Sequence, residues 1–113
     1  MNIQIFGTKK SFDSKKAERY FKERGIKYQF VDMKEKGLSK GEFNSVCQAV
    51  GGYEKLIDEN CKAKDLLALI KYIAEEDRAE KILENQKVLK LPIVRNGKQA
   101  TVGYQPDVWK NWK

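Results

Sequence analysis

Few side chains in this sequence are reactive, and the scarcity itself narrows the chemistry. The 113 residues include two cysteines, Cys47 and Cys61, and no histidine. Without an imidazole, a histidine-based triad, a histidine general base and most zinc sites are excluded for this chain alone. Cys47 shares the apolar face of an expected helix with Phe43, Val46 and Val50, so it reads as core packing. Cys61 stands among polar residues, where more exposure is expected. A reducing compartment argues against a structural disulfide between them. The other concentration of chemistry is near the N-terminus, where Thr8, Lys9, Lys10 and Ser11 precede a helix that carries Lys15 and Lys16. These lysines either form an anion site at the helix N-terminus or a solvated face, and a solvated face is the commoner fate of lysine. The hydroxyl of Ser11 is a weak acid with no base close in sequence to activate it. Its plain role is to cap the helix, with Asp13 and Ser14 as alternative caps.

The body that must position these groups is one domain in length, residues 1–113, and long enough to bury a real core. A mean hydropathy of -0.69 sits beside 41% hydrophobic residues and reflects 35% charged residues rather than disorder. The longest apolar run, Leu66 to Ile70, is far too short to span a membrane. Residues 1–5 lack the sections of a signal peptide, so the expected location is cytoplasmic. The net charge of +7 comes mainly from scattered lysines and reads first as solubility. It is a weak signal for nucleic acid, because neither an RNA-binding aromatic motif nor a finger is present. A monomer is expected.

Residues 2–6 alternate and read as a strand. A helix follows from about Phe12 to Arg24, with Ala17, Tyr20 and Phe21 on one face and Gly25 closing it. Residues 27–32 form a second strand, an interval suited to a right-handed βαβ unit. Ser39 to Glu42 fits a capping box for a second helix, closed by Gly51-Gly52. Residues 53–86 read as helical in two or three pieces. Leu66, Leu69, Ile70 and Ile73 supply one apolar face, and a helix over 77–86 turns Ala79, Ile82 and Leu83 inward. Residues 92–95 and 99–102 flank Asn96-Gly97, a type I′ hairpin signal. Pro106 opens a last helix with Val108, Trp109 and Trp112. Trp109 and Trp112 are three residues apart and should share a packed face. The order β-α-β, helices, β-β-α is an α/β, thioredoxin-like, four-stranded mixed sheet with a helical insert at about 39–86.

Several segments, in order, carry a resemblance across nearly the whole chain. They are Ile5-Phe-Gly-Thr-Lys-Lys-Ser11, Lys15-Lys-Ala17, residues 25–32, Leu38 to Glu42, Leu91-Pro-Ile-Val-Arg-Asn-Gly97 and Val102-Gly-Tyr104. Together they resemble the ArsC/Spx family of thioredoxin-fold proteins, which includes arsenate reductases. The resemblance implies a cysteine in the loop before the first helix, where the free N–H groups and positive dipole end favour a thiolate. In this sequence that position is Ser11. The position three later, the second cysteine of Spx-type redox switches, is Ser14. The family proline is Pro92, for which the resemblance implies a cis bond after Leu91. Leu91 itself occupies a position that is often arginine. Family arginines that hold an oxyanion fall near Asn60 and near Tyr104 or Gln105, so bidentate capture is weakened.

Two accounts of Ser11 stand open: a natural serine that lost the chemistry, or a position changed from cysteine. The intact surroundings favour a former cysteine. The resemblance thus implies a glutaredoxin- or arsenate-reductase-like thiol-disulfide oxidoreductase, inactive as written and not a true arsenate reductase. Ser11 and Pro92 would form its centre, and Thr8, Lys9, Lys10, Lys15 and Leu91 its substrate or anion side. No bound cofactor is expected. Glutathione or another low-molecular-weight thiol would serve as co-substrate, and a small thiol or disulfide as substrate. The alternative is an Spx-like, non-catalytic regulator that binds RNA polymerase or another protein.

Overall fold

The computed structural model describes residues 1–112. Four strands form one sheet in the order β2-β1-β3-β4, with β1 at Ile3–Gly7, β2 at Tyr28–Asp32, β3 at Ile93–Asn96 and β4 at Gln99–Val102. β1 and β2 run parallel, while β1–β3 and β3–β4 are antiparallel. This is the mixed, thioredoxin-like arrangement expected, with the helical insert between β2 and β3.

The strand alternation divides the core in two. Ile3, Ile5 and Val94 face α1 (Phe12–Glu23) and the short α5 (Pro106–Trp109), packing with Ala17, Tyr20, Phe21, Trp109 and Trp112. Phe6 and Ile93 face the other way, into a cluster with Phe43, Val46, Leu56, Leu67, Ile70 and Ile82 from the insert. Trp109 is held by chemistry as well as packing, since its indole N–H donates to Thr101 Oγ1 at 2.7 Å. Both tryptophans are buried, but α5 ends at Trp109 and Trp112 lies in the turn beyond it.

The local signals work as their chemistry requires. Ser39 and Glu42 close a reciprocal capping box on α2 (Lys40–Val50). At the end of α1, Gly25 takes a φ of +67°, and the N–H groups of Gly25 and Ile26 donate back to the carbonyls of Lys22 and Phe21. The insert continues through a 3-10 turn at Tyr53–Leu56, α3 (Lys64–Tyr72), α4 (Glu75–Glu84) and a second 3-10 turn at Gln86–Val88. Gln86 ties it to the loop before α2. Its Oε1 accepts the Leu38 N–H at 2.7 Å, and its Nε2 donates to the carbonyls of Leu38 and Leu83.

Two expectations are corrected. In α3 the buried residues are Leu67 and Ile70, whereas Leu69 is 40% exposed. The helix has large apolar residues at more than one face's worth of positions, and the core chose Leu67 over Leu69. The β3–β4 turn is also shifted. Asn96 pairs with Gln99, so the two-residue loop is Gly97-Lys98. Only Gly97 has positive φ there, the sign pattern of a type II′ turn, whereas type I′ needs positive φ at both central residues. Cys61, like Cys47, is half-buried and packs against the insert-side core.

Candidate functional site

The register brings several separate segments to one end of the sheet. Phe6 pairs with Ile93 and Ile93 with Val102, so the strand ends leading to Thr8, from Pro92 and to Gly103 lie side by side. The Gly103 N–H donates to the Pro92 carbonyl at 2.8 Å, fastening the end of β4 to the start of β3. The Leu91–Pro92 peptide bond is cis. Pro92 is buried and Leu91 half-buried.

The loop from β1 into α1 is held by its own polar groups. The Ser11 N–H donates to the Thr8 hydroxyl at 3.1 Å and to the Thr8 carbonyl at 3.2 Å. Ser11 is the N-cap, in extended conformation, and its Oγ accepts the Ser14 N–H at 3.2 Å. The capping role is therefore filled by Ser11, not by Asp13 or Ser14. Ser14 is fully buried, and its own Oγ accepts the Thr8 N–H at 3.4 Å. Gly7 permits this closeness: a Cβ there would collide with the Ser14 hydroxyl.

Around this mouth Lys9, Lys10 and Lys15 are exposed, and none is in an ion pair among the described residues. Lys16 behaves differently. Its ammonium lies 4.6 Å from the centre of the Tyr104 ring and 5.7 Å from that of Phe12. The Lys16–Tyr104 contact joins α1 to the segment after β4. Reading the sequence grouped Lys16 with the other lysines and passed over Phe12, which is 76% exposed. The four-residue spacing of Phe12 and Lys16 on a helix signalled their own contact, but nothing local pointed to Tyr104.

Asn60 lies apart on the insert, in an exposed turn where its N–H donates to the Asp58 carboxylate. Cys47, on α2, has its thiol pushed up by burial and, to a lesser degree, by the Glu54 carboxylate, the opposite of what a reactive thiolate needs. No group of three or more metal-ligating acidic or cysteine side chains converges among the described residues. No helix is long and apolar enough to cross a membrane.

A four-stranded mixed sheet with a helical insert, a helix capped by Ser11 at one end of that sheet and a cis proline at the start of β3 define a thioredoxin-like protein. The chain belongs to the ArsC family, whose model matches residues 6–112. It is 27% identical over 128 residues to global transcriptional regulator Spx 2 of Oceanobacillus iheyensis, covering all of this chain and 94% of that protein. An ArsC-family-related protein from Bacteroides fragilis superposes with a TM-score of 0.84 at 20% identity, covering 100% of this chain and 98% of the other. The arsenate reductase from Vibrio cholerae gives a TM-score of 0.77 at 21% identity, covering 96% and 94%. These structural likenesses establish the shared fold.

Proposed function

We propose that this protein is a non-catalytic member of the ArsC family that works, in the manner of an Spx regulator, by binding a protein partner. One observation carries the reading. The only side-chain heteroatom at the family's reactive position is the Ser11 hydroxyl, which serves as acceptor in the helix cap. An unactivated alcohol is no substitute for a thiolate. The likeness to a transcriptional regulator over the whole chain supports the same reading. RNA polymerase is the partner this reading favours.

The test is retention of purified RNA polymerase on the immobilised protein, run beside a turnover assay with glutathione mixed disulfides. The expected result is retention that survives Ser11→Ala, and no turnover. Polymerase that flows through, or wild-type turnover that Ser11→Ala removes, overturns the reading.

The oxidoreductase alternative is favoured by one feature, the helix N-terminus at Ser11 with Lys9, Lys10 and Lys15 around it. In that reading the thiolate of a Ser11→Cys protein would attack a small disulfide, breaking its S–S bond, forming a mixed disulfide and releasing one thiolate; glutathione or another low-molecular-weight thiol, as co-substrate, would then attack the mixed disulfide, free the protein thiolate and leave as the new disulfide. It applies to a Ser11→Cys protein rather than to the chain as it stands.

A further inference from the structure

α3 has more apolar surface than the fold uses. Its nine residues include Leu66, Leu67, Leu69, Ile70 and Tyr72, of which the core fully buries Leu67 and Ile70. Leu69 is 40% exposed and Tyr72 is 87% exposed. Three residues apart, they lie next to one another on the outer side of the helix. A groove of about 290 Å³ runs between Leu69 and Ile73 on one side and α4 on the other, lined also by Asp77, Glu80, Lys81 and Glu84, with Tyr72 outside that lining.

The charge beside the groove runs against that of the molecule. α4 carries five carboxylates, at Glu75, Glu76, Asp77, Glu80 and Glu84, against Arg78 and Lys81, in a chain of net charge +7. Arg78 is spent internally: its Nε donates to the Ile73 carbonyl at 3.1 Å and its Nη2 to the Lys71 carbonyl at 2.9 Å. That leaves Lys81 as the one cation lining the groove among the described residues. Within a screening length of roughly 8 Å the local acidic rim governs, not the distant lysines.

We propose that the α3–α4 groove docks a basic amphipathic helix of a partner protein. Apolar side chains of that helix rest on Leu69, Tyr72 and Ile73, and its lysines or arginines meet Asp77, Glu80 and Glu84. Grooves between helices take helices, read at the i, i+3, i+4 and i+7 positions. An anionic occupant, nucleic acid or acidic peptide, is repelled by the rim. The surface belongs to elements other than those holding Ser11, so the inference goes beyond the reading above and does not depend on polymerase being the partner.

The experiment is a titration of the isotopically labelled full chain with a synthetic helix bearing leucine at i, i+3, i+4 and i+7 and lysine elsewhere. Amide shifts are followed by NMR. A control peptide replaces every lysine by glutamate. The expected result is saturable binding of the lysine peptide alone, with shifts centred on Leu69, Tyr72, Ile73, Glu80 and Glu84. Tyr72→Ala should weaken it about tenfold. Glu80→Lys with Glu84→Lys should weaken it about tenfold and flatten its salt dependence. All three substitutions are at exposed positions, and an otherwise unchanged spectrum certifies the fold. No binding, equal binding of the glutamate peptide, shifts centred on the Ser11 loop, or a Tyr72-dependent dimer in sedimentation without peptide overturns the proposal.

Discussion

The Ser11 hydroxyl accepts the backbone N–H of Ser14 at 3.2 Å, and so closes the first turn of α1. The same bond places Ser11 at the N-cap, where its hydroxyl serves as an acceptor. Replacing Ser11 by alanine removes the acceptor and should cost about 1 kcal/mol of stability, whereas glycine should cost only a few tenths. Urea denaturation of the three proteins checks this. Equal stability of wild type and Ser11→Ala would mean that the cap bond contributes nothing.

The same geometry predicts what a thiol would experience. In Ser11→Cys, with Cys47 and Cys61 replaced by serine, the sulfur would sit at the N-terminus of α1, beside the Ser14 N–H and near exposed lysines. All of these favour a thiolate. Its pKa should fall below the free-cysteine value of about 8.5. The rate of alkylation against pH measures it. A value at or above 8.5 would show that the loop no longer supports thiolate chemistry and would remove the basis of the oxidoreductase alternative.

Cys47 predicts the opposite trend. Burial first, and then the Glu54 carboxylate, hold its folded-state value above the ordinary one. The unfolded chain therefore gives up this proton at a lower pH than the folded chain does. The contribution of Cys47 to stability is full below the ordinary thiol value and falls as pH rises through it toward the folded value. The stability difference between wild type and Cys47→Ala should shrink above about pH 8.5. Contributions common to both proteins cancel from that difference. Paired denaturation curves at several pH values give the slope, and a constant difference contradicts the assignment.

Gly7 and Ser14 are coupled by contact. A Cβ at Gly7 would meet the Ser14 hydroxyl and lie 2.8 Å from the Ser14 Cβ. Gly7→Ala should therefore cost about 1–3 kcal/mol, as overpacking does. Ser14→Gly opens the space, so the double variant should be more stable than the sum of the two singles predicts. Additivity in a double-mutant cycle would mean that the strand end shifts to make room by itself.

Much of this molecule was legible because the signals are local. The capping box at Ser39 and Glu42, the glycine stop at Gly25 and the alternation through β1 each depend on residues a few positions apart. Hydrogen bonds and side-chain periodicity act over that range. The cap role of Ser11 is of the same kind. The errors lie where several local answers were equally good. Asn96-Gly97 satisfies more than one hairpin register, and cross-strand pairing through Asn96 and Gln99 selected the loop at Gly97-Lys98. α3 offers leucines on two sides, and only packing against Phe43, Val46 and Ile82 selected Leu67 and Ile70 for burial.

By itself, then, the sequence determined the order of elements, the helix caps, the absence of an imidazole and the serine at position 11, since each is a property of residue types and short spacings. Tertiary structure alone decided that Lys16 lies over Tyr104, that Ser14 is sealed beneath Gly7, that Gly103 fastens to Pro92, that Leu69 shares a groove with the carboxylates of α4 and that Tyr72 is left exposed. Those relationships join residues far apart in the chain or choose between equivalent faces of one helix. Contact between distant segments is set by how strands pair and helices pack, which no local spacing encodes.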